Sequence, residues 1–315
     1  MILVTGGLGF IGTHTVRALL DLGEGCVLVQ RRTAAAPAGL AGAQVAVEQA
    51  DITDLTALLA AGARHKITGI VHLAGSVPWP PGSGQPVEAA RKAIGGLLNV
   101  VQAAQDWGVQ RVGVASTIGV YGGIAAGGSL GEDMPLPMTP GHAIPAFKKI
   151  GELLTGHLAG ATGIEIVSYR ISAVWGPLGR ADGRFCAAPQ LIHAAVRGTA
   201  PDLSPLPFPV CAGDSTDLCY VKDCGRAIAL LQLAGQLSHP TYNVASGRPT
   251  TNAEVIAAIR KVIPDAQIDL PAGRTSQPGY LDITRLQHDT GYRPAYDTER
   301  AAADYIAWLR AGNDR

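Results

Sequence analysis

The segment MILVTGGLGFIG, Met1–Gly12, decides the fold of this chain. Its apolar residues Ile2–Val4 predict a short buried strand, and the residues that follow predict a helix from about Phe10 to Leu22. The turn between strand and helix carries a glycine at every third position, namely Gly6, Gly9 and Gly12. A strand, a glycine turn and a helix in this order are typical of the first βα unit of a dinucleotide-binding sheet.

The glycine turn predicts a bound pyrophosphate. Such a turn needs backbone angles that a β-carbon disfavours, and a pyrophosphate reaches the amides that open the helix only where no side chain intervenes. We therefore expect a dinucleotide to contact Gly6, Gly9, Phe10, Ile11 and Gly12. The alternative is a tight turn that binds no ligand.

The end of the second predicted strand, Cys26–Val29, bears on the choice between NADP and NAD. An acidic residue that accepts from the ribose 2′-hydroxyl is expected about 20 residues after the glycine turn. The chain has Gln30, Arg31 and Arg32 there, and two guanidinium groups can hold a 2′-phosphate. The sequence thus favours NADP, with NAD as the alternative. Arg31 and Arg32 can also be solvated residues at a strand end.

Composition limits the classes of protein and partner. The 315 residues are 47% hydrophobic and 16% charged with a formal net charge of +0, which suits one large α/β domain or a major and a minor lobe. The neutral charge argues against a nucleic-acid partner. No apolar run has the length of a membrane span, and the first strand is too short for a signal peptide. The five cysteines show neither CxxC nor metal-ligand spacing, which is typical of reduced thiols in a cytoplasmic protein without a metal.

Strand and helix patterns alternate through the first half of the chain. Further strands are predicted at Gln44–Val47, Gly69–Leu73, Arg111–Ser116 and Glu165–Arg170, and helices at Glu88–Trp107 and Ala146–Ala161. Repeated βαβ units predict an α/β fold, a Rossmann-like doubly wound parallel sheet. The second half is more broken, with predicted loops at Gly176–Gly183 and Pro201–Pro209 and predicted helices at Asp223–Ala234, Asn252–Ile263 and Glu299–Leu309.

Several motifs together resemble the extended short-chain dehydrogenase/reductases of the NAD-dependent epimerase/dehydratase family, almost end to end. They are TGGLGFIG at Thr5–Gly12, Asp51-Ile52, HLAG at His72–Gly75, STIGVYG at Ser116–Gly122, RISAVWGP at Arg170–Pro177, YVKD at Tyr220–Asp223 and YNVASG at Tyr242–Gly247. The resemblance implies a dinucleotide-binding domain over residues 1–172, to which 217–247 return, and a smaller C-terminal substrate lobe formed by 173–216 and 248–315. It also implies a small-molecule substrate and a homodimer that packs through the two long helices of the first half.

The resemblance assigns cofactor roles to single residues. Asp51 and Ile52 are implied to contact the adenine, and Leu73, Ala74 and Gly75 to line the cofactor. These segments follow the third and fourth predicted strands, at the edge where open α/β sheets bind their ligands.

Family members pair hydride transfer with proton transfer by a hydroxyl, a tyrosine and a lysine. The resemblance places the hydroxyl at Thr117 and the lysine at Lys148, because Glu152 follows four residues later on the same helix face. In this comparison Lys148 holds the nicotinamide ribose. Thr117 can instead satisfy a strand end, and Lys148 can be a solvated helix lysine.

The tyrosine of the family is missing. It should lie four residues before the lysine, where this chain has Ile144, or Pro145 if Lys149 is the family lysine. Neither can donate a proton. His142 is a candidate replacement because it titrates in the right range, and Tyr121 is a weaker one.

Other departures concern the substrate. Dehydratases of the group carry an Asp-Glu pair where this chain has Ile118 and Gly119. Nucleotide-sugar members carry an asparagine at Ala173 and an arginine near Thr216, and an asparagine of the long helix is replaced by Ala93. A typical nucleotide-sugar substrate is therefore not expected. Three loop arginines could supply other anion contacts: Arg180, Arg184 and Arg285.

Two hypotheses for the function follow. The first is an NADP-preferring oxidoreductase or epimerase-like enzyme acting on a carbonyl or alcohol, with Thr117 orienting the substrate oxygen and Lys148 holding the cofactor. The second is a non-catalytic NADP(H)-binding sensor or scaffold, which the missing tyrosine favours and the retained Thr117 and Lys148 oppose. The Pro/Gly-rich loop Ser76–Pro86, with Trp79, either borders the cleft or is a plain surface loop.

Overall fold

The computed structural model describes residues 1–32, 40, 44–75, 85–124, 127–139, 141–275 and 279–315. The predicted loop Ser76–Pro86 and its Trp79 lie almost wholly outside these residues, so their place beside the cleft stays a prediction.

The described chain forms one large parallel sheet flanked by helices and by three short strand pairs. The strands are β1 (Ile2–Thr5), β2 (Cys26–Gln30), β3 (Val45–Gln49), β4 (Gly69–His72), β5 (Arg111–Thr117), β6 (Ser129–Leu130), β7 (Glu165–Ile171), β8 (Ala173–Trp175), β9 (Ser215–Thr216), β10 (Leu218–Tyr220), β11 (Thr241–Val244), β12 (Thr250–Thr251) and β13 (Tyr280–Leu281). The helices are α1 (Phe10–Asp21), α2 (Leu55–Gly62), α3 (Pro86–Asp106), α4 (Ala143–Thr162), α5 (Ala188–Arg197), α6 (Val221–Leu233), α7 (Asn252–Val262), α8 (Thr284–Thr290) and α9 (Thr298–Arg310), with a short 3-10 helix at Ile118–Tyr121.

The large sheet has seven parallel strands in the spatial order β3-β2-β1-β4-β5-β7-β11. β1 lies between β2 and β4, and Ile2 pairs with Cys26 on one side and with Gly69 on the other. The chain therefore runs outward from β1 to β3 and returns to β4 on the opposite side. This reversal opens a crevice beyond the carboxyl ends of β1 and β4, where ligands of doubly wound sheets bind. The predicted fold class is confirmed.

Alternate residues of the buried strands pack into two cores on opposite faces of the sheet. Val4 and Leu28 belong to the core covered by α1 and α6, whereas Leu3 and Val27 belong to the core covered by α2 and α3. This alternation follows from the two-residue period of a strand. Because both faces are covered, the strands read as continuous apolar runs in the sequence.

A third hydrophobic cluster lies beyond the large sheet. Its largest buried side chains include Trp175 on β8 and Tyr305 on α9, packed with apolar residues of α5 and α7. Leu281 and Tyr292 come from the same part of the chain but pack into the core of the large sheet. The division at residues 173 and 248 stays a prediction.

Most predicted elements of the first half are confirmed to within a few residues. Helix α4 begins at Ala143, three residues before its predicted start, because His142 caps it and Pro145 is tolerated in its first turn. Three helices were not predicted, namely α2, α5 and α8. All five cysteines are free. Within the described ranges, no helix has both the length and the apolar character that crossing a bilayer requires.

Candidate functional site

The glycine turn after β1 is built by close backbone approach. Gly6 has φ +71°, and a β-carbon there would lie 3.0 Å from the amide nitrogen of Ala74. A β-carbon on Gly12 would lie 2.1 Å from the carbonyl oxygen of Gly6. Two of the three glycines are therefore required by the fold of the turn itself, one by its backbone angles and one by packing.

The start of α1 is open to an anion. Its N-cap is Gly9, which supplies no side-chain cap, and the first turn carries no acidic residue. The first backbone amides of a helix lack partners within the helix and lie at the positive end of its dipole. The bare turn thus provides what a pyrophosphate needs, with Phe10 and Ile11 at its edge.

A cleft runs along the carboxyl ends of β1, β2, β3 and β4, as the topology requires. It collects Gly6, Arg31, Asp51, Ile52, Ala74 and Gly75, together with Lys92 and Ala93 from α3. The structure thus brings together residues of four of the predicted cofactor segments, from the ends of four strands. Arg32 is exposed beside this cleft but is not among the residues that line it.

The Asp51-Ile52 segment is held in place from two sides. The Asp51 carboxylate accepts from the amide of Thr53 at 3.0 Å and from its hydroxyl at 2.8 Å. These hydrogen bonds, the amide first, lower the pKa of Asp51. Asn99 of α3 donates its side-chain amide to the carbonyl of Ile52 at 2.9 Å, and Gly96 lets α3 pack against that residue. This role of Asn99 is not predictable from the sequence, because Asn99 lies on α3, 47 positions after Ile52.

A buried pair joins β1 to β4 beneath the crevice. The hydroxyl of Thr5 lies 2.8 Å from Nδ1 of His72 and accepts from the amide of Ala74 at 3.1 Å. Burial, and then the charge of Lys148, lowers the pKa of His72 to about 3. The imidazole therefore stays neutral near pH 7. Thr5 and His72 were missed as site residues because their contact spans 67 positions of sequence.

Lys148 faces the crevice from α4. A β-carbon on Gly75 would lie 3.8 Å from Nζ of Lys148, which places the amine at the end of β4. Burial lowers the pKa of Lys148 to about 8, and the charge of Glu152 opposes this shift. The neighbouring Lys149 turns to the other side of the helix, where it donates to the carbonyl of Pro137. The helix register thus favours Lys148 over Lys149 as the cofactor lysine.

Glu152 lies one turn after Lys148 and is held by other partners. Its carboxylate accepts from Nε of Arg170 at 3.0 Å, from Nη2 of Arg170 at 2.7 Å and from the hydroxyl of Ser116 at 2.5 Å. The side chains of Glu152 and Arg170 are 11% and 6% exposed. This buried ion pair fixes α4 against β5 and β7.

Tyr121 does not reach the crevice. Its hydroxyl donates to Asn243 at 2.9 Å and accepts from Arg170 at 2.9 Å, and its side chain is buried. Burial raises the pKa of Tyr121. The weaker candidate for the missing acid is therefore wrong, because its hydroxyl is part of the core.

Thr117 ends β5 beside the first turn of α4. Its Oγ1 accepts from the amide of Gly119 at 3.2 Å and caps the 3-10 helix, which leaves the hydroxyl proton for a second acceptor. A β-carbon on Gly119 would lie 3.0 Å from Cγ of Pro145. Ile144, the residue before Pro145, is half-buried. An aliphatic side chain thus stands at each of the two positions, 144 and 145, where the resemblance places the tyrosine.

His142 is the N-cap of α4. Its Nδ1 accepts from the amide of Ile144 at 3.4 Å, and burial lowers its pKa. Two of the loop arginines predicted as anion contacts are engaged elsewhere, because Arg180 pairs with Asp182 and Arg285 pairs with Asp133.

Comparison with known proteins agrees with this arrangement. The sequence profile described as "NAD dependent epimerase/dehydratase family" matches residues 2–245. The UDP-glucose 4-epimerase of Azospirillum brasilense is 28% identical over 98% of this chain and 92% of its own length. The dTDP-glucose 4,6-dehydratase of Neisseria meningitidis is 24% identical over the same shares.

Solved structures agree on the fold. A UDP-glucose 4-epimerase of Thermotoga maritima, crystallised with UDP-glucose, matches 99% of both chains with a TM-score of 0.80 at 22% identity. The UDP-glucose 4-epimerase of Thermus thermophilus, in complex with NAD, matches equally long stretches with a TM-score of 0.79 at 24% identity. The sequence profile and the length of the matches establish that the chain belongs to the NAD dependent epimerase/dehydratase family.

Proposed function

We propose that this chain is an NAD(P)-dependent oxidoreductase or epimerase-like enzyme that acts on an alcohol or carbonyl substrate. The observation that carries the proposal is the amine of Lys148 beside Gly75, a residue that also lines the cleft at the glycine turn. A nicotinamide dinucleotide supplies a hydride acceptor or donor when bound there. The shape of the glycine turn supports the fit, because a β-carbon on Gly6 or Gly12 would disrupt it.

Different residues of the cleft would bind different parts of the cofactor. The open amides at the start of α1 would hold the pyrophosphate, and the segment Asp51-Ile52 would contact the adenine. Lys148 would donate to the nicotinamide ribose. Thr117 would donate its hydroxyl proton to the substrate oxygen and so orient it.

The preference between NADP and NAD is testable at Arg31. The residue lines the cleft with Lys92 and no acid stands at the end of β2, whereas the Thermus thermophilus relative was solved with NAD. We expect NADP(H) to bind more tightly than NAD(H), and Arg31→Ala to weaken NADP(H) about 10- to 100-fold because a charge-assisted pair to the 2′-phosphate is lost. Arg32→Ala should have a smaller effect. Isothermal titration calorimetry measures the affinities of the parent protein for NADP(H) and NAD(H), and those of the two variants for NADP(H). Tighter NAD(H) binding by the parent protein would overturn the preference.

The substrate is proposed to lack a nucleotide diphosphate, unlike the substrates named for the relatives. A second cleft lies at the C-terminal cluster, between Phe185 and Phe208 and the polar residues Asp214 and Asn252. None of the described residues that line it is a lysine or an arginine, and Thr216 is one of them. A diphosphate bound there would face a carboxylate without a compensating cation. A neutral alcohol or carbonyl fits this lining better.

Restoring the missing group is a direct test of the enzyme hypothesis. Ile144→Tyr places a phenol one helical turn before Lys148, so we expect a gain of about 10- to 100-fold in hydride transfer to simple carbonyl compounds. The absorbance of the reduced nicotinamide reports the rate. Ile144→Phe is the matched control, since it adds the ring without the hydroxyl. Equal rates for the two variants would show that no acid can act from this position.

The second hypothesis, a non-catalytic sensor or scaffold, predicts cofactor binding without hydride transfer from any alcohol, UDP-glucose included, or to any carbonyl compound. The homodimer is proposed to pack through α3 and α4, where Leu98, Ile150 and Leu153 are exposed. Apolar side chains exposed on two neighbouring helices are typical of a protein–protein contact.

A further inference from the structure

The proposed reaction needs a group that accepts and donates the proton of the substrate hydroxyl, and that group has not been assigned so far. The family tyrosine is replaced by Ile144, and the hydroxyl of Tyr121 is buried in the core. None of the residues outside the described ranges carries an ionisable side chain, as their sequence shows. The group that moves the proton must therefore be among the described residues, or be water.

The elements around the amine of Lys148 present few ionisable groups. β4 contributes His72, α4 contributes Glu152, and β7 contributes Arg170 behind Glu152. β5 contributes the neutral Ser116 near the amine, and α3 contributes only apolar side chains there. His72, Glu152 and Lys148 are thus the ionisable residues lining this part of the crevice within the described chain.

Two of these three are held by hydrogen bonds to other residues. His72 is buried with its Nδ1 on the hydroxyl of Thr5, and burial keeps it neutral. Glu152 is paired with both nitrogens of the Arg170 fork and accepts from Ser116, so its charge is compensated. Both side chains are thus committed to partners within the fold. Among the described residues, Lys148 has no hydrogen-bonded partner of this kind.

We propose that Lys148 is the proton-transfer residue of this site, which rests on the proposed function. In the oxidative direction a nicotinamide bound at this site would accept the hydride of the substrate carbinol, and the neutral amine of Lys148 would accept the hydroxyl proton. The carbinol would thus become a carbonyl compound, with its proton held on the ammonium form of Lys148. In the reductive direction the ammonium returns the same proton to the new alkoxide oxygen.

The surroundings of Lys148 suit this role. Burial lowers its pKa to about 8, so the neutral amine forms more readily than at an exposed lysine. The positive charge of an oxidised nicotinamide nearby would lower the pKa further, since like charges disfavour each other. Ile144 adds an aliphatic side chain on the same helix and no competing acid.

Binding and rate together test this proposal. Titration of the oxidised cofactor near pH 7.5, in two buffers of different ionisation enthalpy, should show a net release of protons when the cofactor binds. Lys148→Arg keeps the charge and the hydrogen-bond donors but cannot deprotonate. We expect it to bind cofactor within about tenfold of the parent, to release no proton and to lose at least 100-fold in the rate of hydride transfer. Lys148→Met should also release no proton.

Two further variants separate the alternatives. Lys149→Met changes the next residue, which points away from the crevice, and should leave both proton release and rate unchanged. His142→Gln removes the rival histidine and should lose less than tenfold in rate. Proton release or full rate in Lys148→Arg would overturn the assignment to Lys148 alone. Absence of cofactor binding by the parent protein would instead overturn the proposed function and this inference together.

Discussion

Gly12→Ala is expected to abolish measurable dinucleotide binding and to destabilise the fold. A β-carbon at this position would lie 2.1 Å from the carbonyl oxygen of Gly6 and 2.8 Å from Cα of Gly7. Both contacts are with backbone, so α1 itself must move away from the turn. Overpacking of a rigid site costs about 1–3 kcal/mol or more. The same movement withdraws the helix amides from the pyrophosphate, and we expect at least about 100-fold weaker cofactor binding by titration calorimetry.

The matched control is Gly95→Ala. Gly95 lies inside α3, and a β-carbon there meets no other atom within 4 Å. Alanine should raise the free energy of unfolding by about 0.5–1 kcal/mol, because glycine loses more backbone entropy in a helix. Urea unfolding of both variants gives the comparison. Normal cofactor affinity in Gly12→Ala would show that no ligand rests against the turn.

The sequence predicts the strands of the large sheet better than it predicts the short helices. The strands of the first half are short apolar runs between polar turns, and their parallel direction follows from the alternation with helices. Helix α5 was missed, although its polar and apolar residues lie on different faces, because it has only ten residues and carries a proline near its start. Helix α2 has only eight residues, of which most are small or apolar. A short apolar run cannot be assigned to a helix by its period.

The candidate functional site also combines features that the sequence reveals with features that only the structure reveals. The glycine turn and Asp51-Ile52 are local motifs, and a sequence can reveal them. The pairs Thr5–His72 and Glu152–Arg170 join separate elements of the fold, so only the structure reveals them. The sequence already favours Lys148 over Lys149 through Glu152, and the rotation of α4 supports that prediction, because adjacent residues of a helix point about 100° apart.

The second large effect is expected from Arg170→Met. The Arg170 guanidinium donates to Glu152, to the hydroxyl of Tyr121 and to the carbonyl of Glu132, and its side chain is 6% exposed. Removing it leaves the Glu152 carboxylate buried with Ser116 as its remaining donor among the contacts described above. Breaking a buried pair in this way costs about 3–5 kcal/mol, which is a large share of the stability of a typical domain. Urea unfolding measures the loss.

The double variant Arg170→Met with Glu152→Met distinguishes the ion pair from simple packing. With both charges gone, no uncompensated carboxylate remains, so we expect the double variant to recover at least half of the loss. The exposed pair Lys261–Glu299, with side chains 61% and 58% exposed, is the matched reference. Lys261→Met should change the free energy of unfolding by less than about 1 kcal/mol, because solvent screens that pair. If Arg170→Met costs no more than Lys261→Met, then the Glu152–Arg170 pair does not hold α4, and the position of Lys148 beside Gly75 must depend on other contacts of that helix.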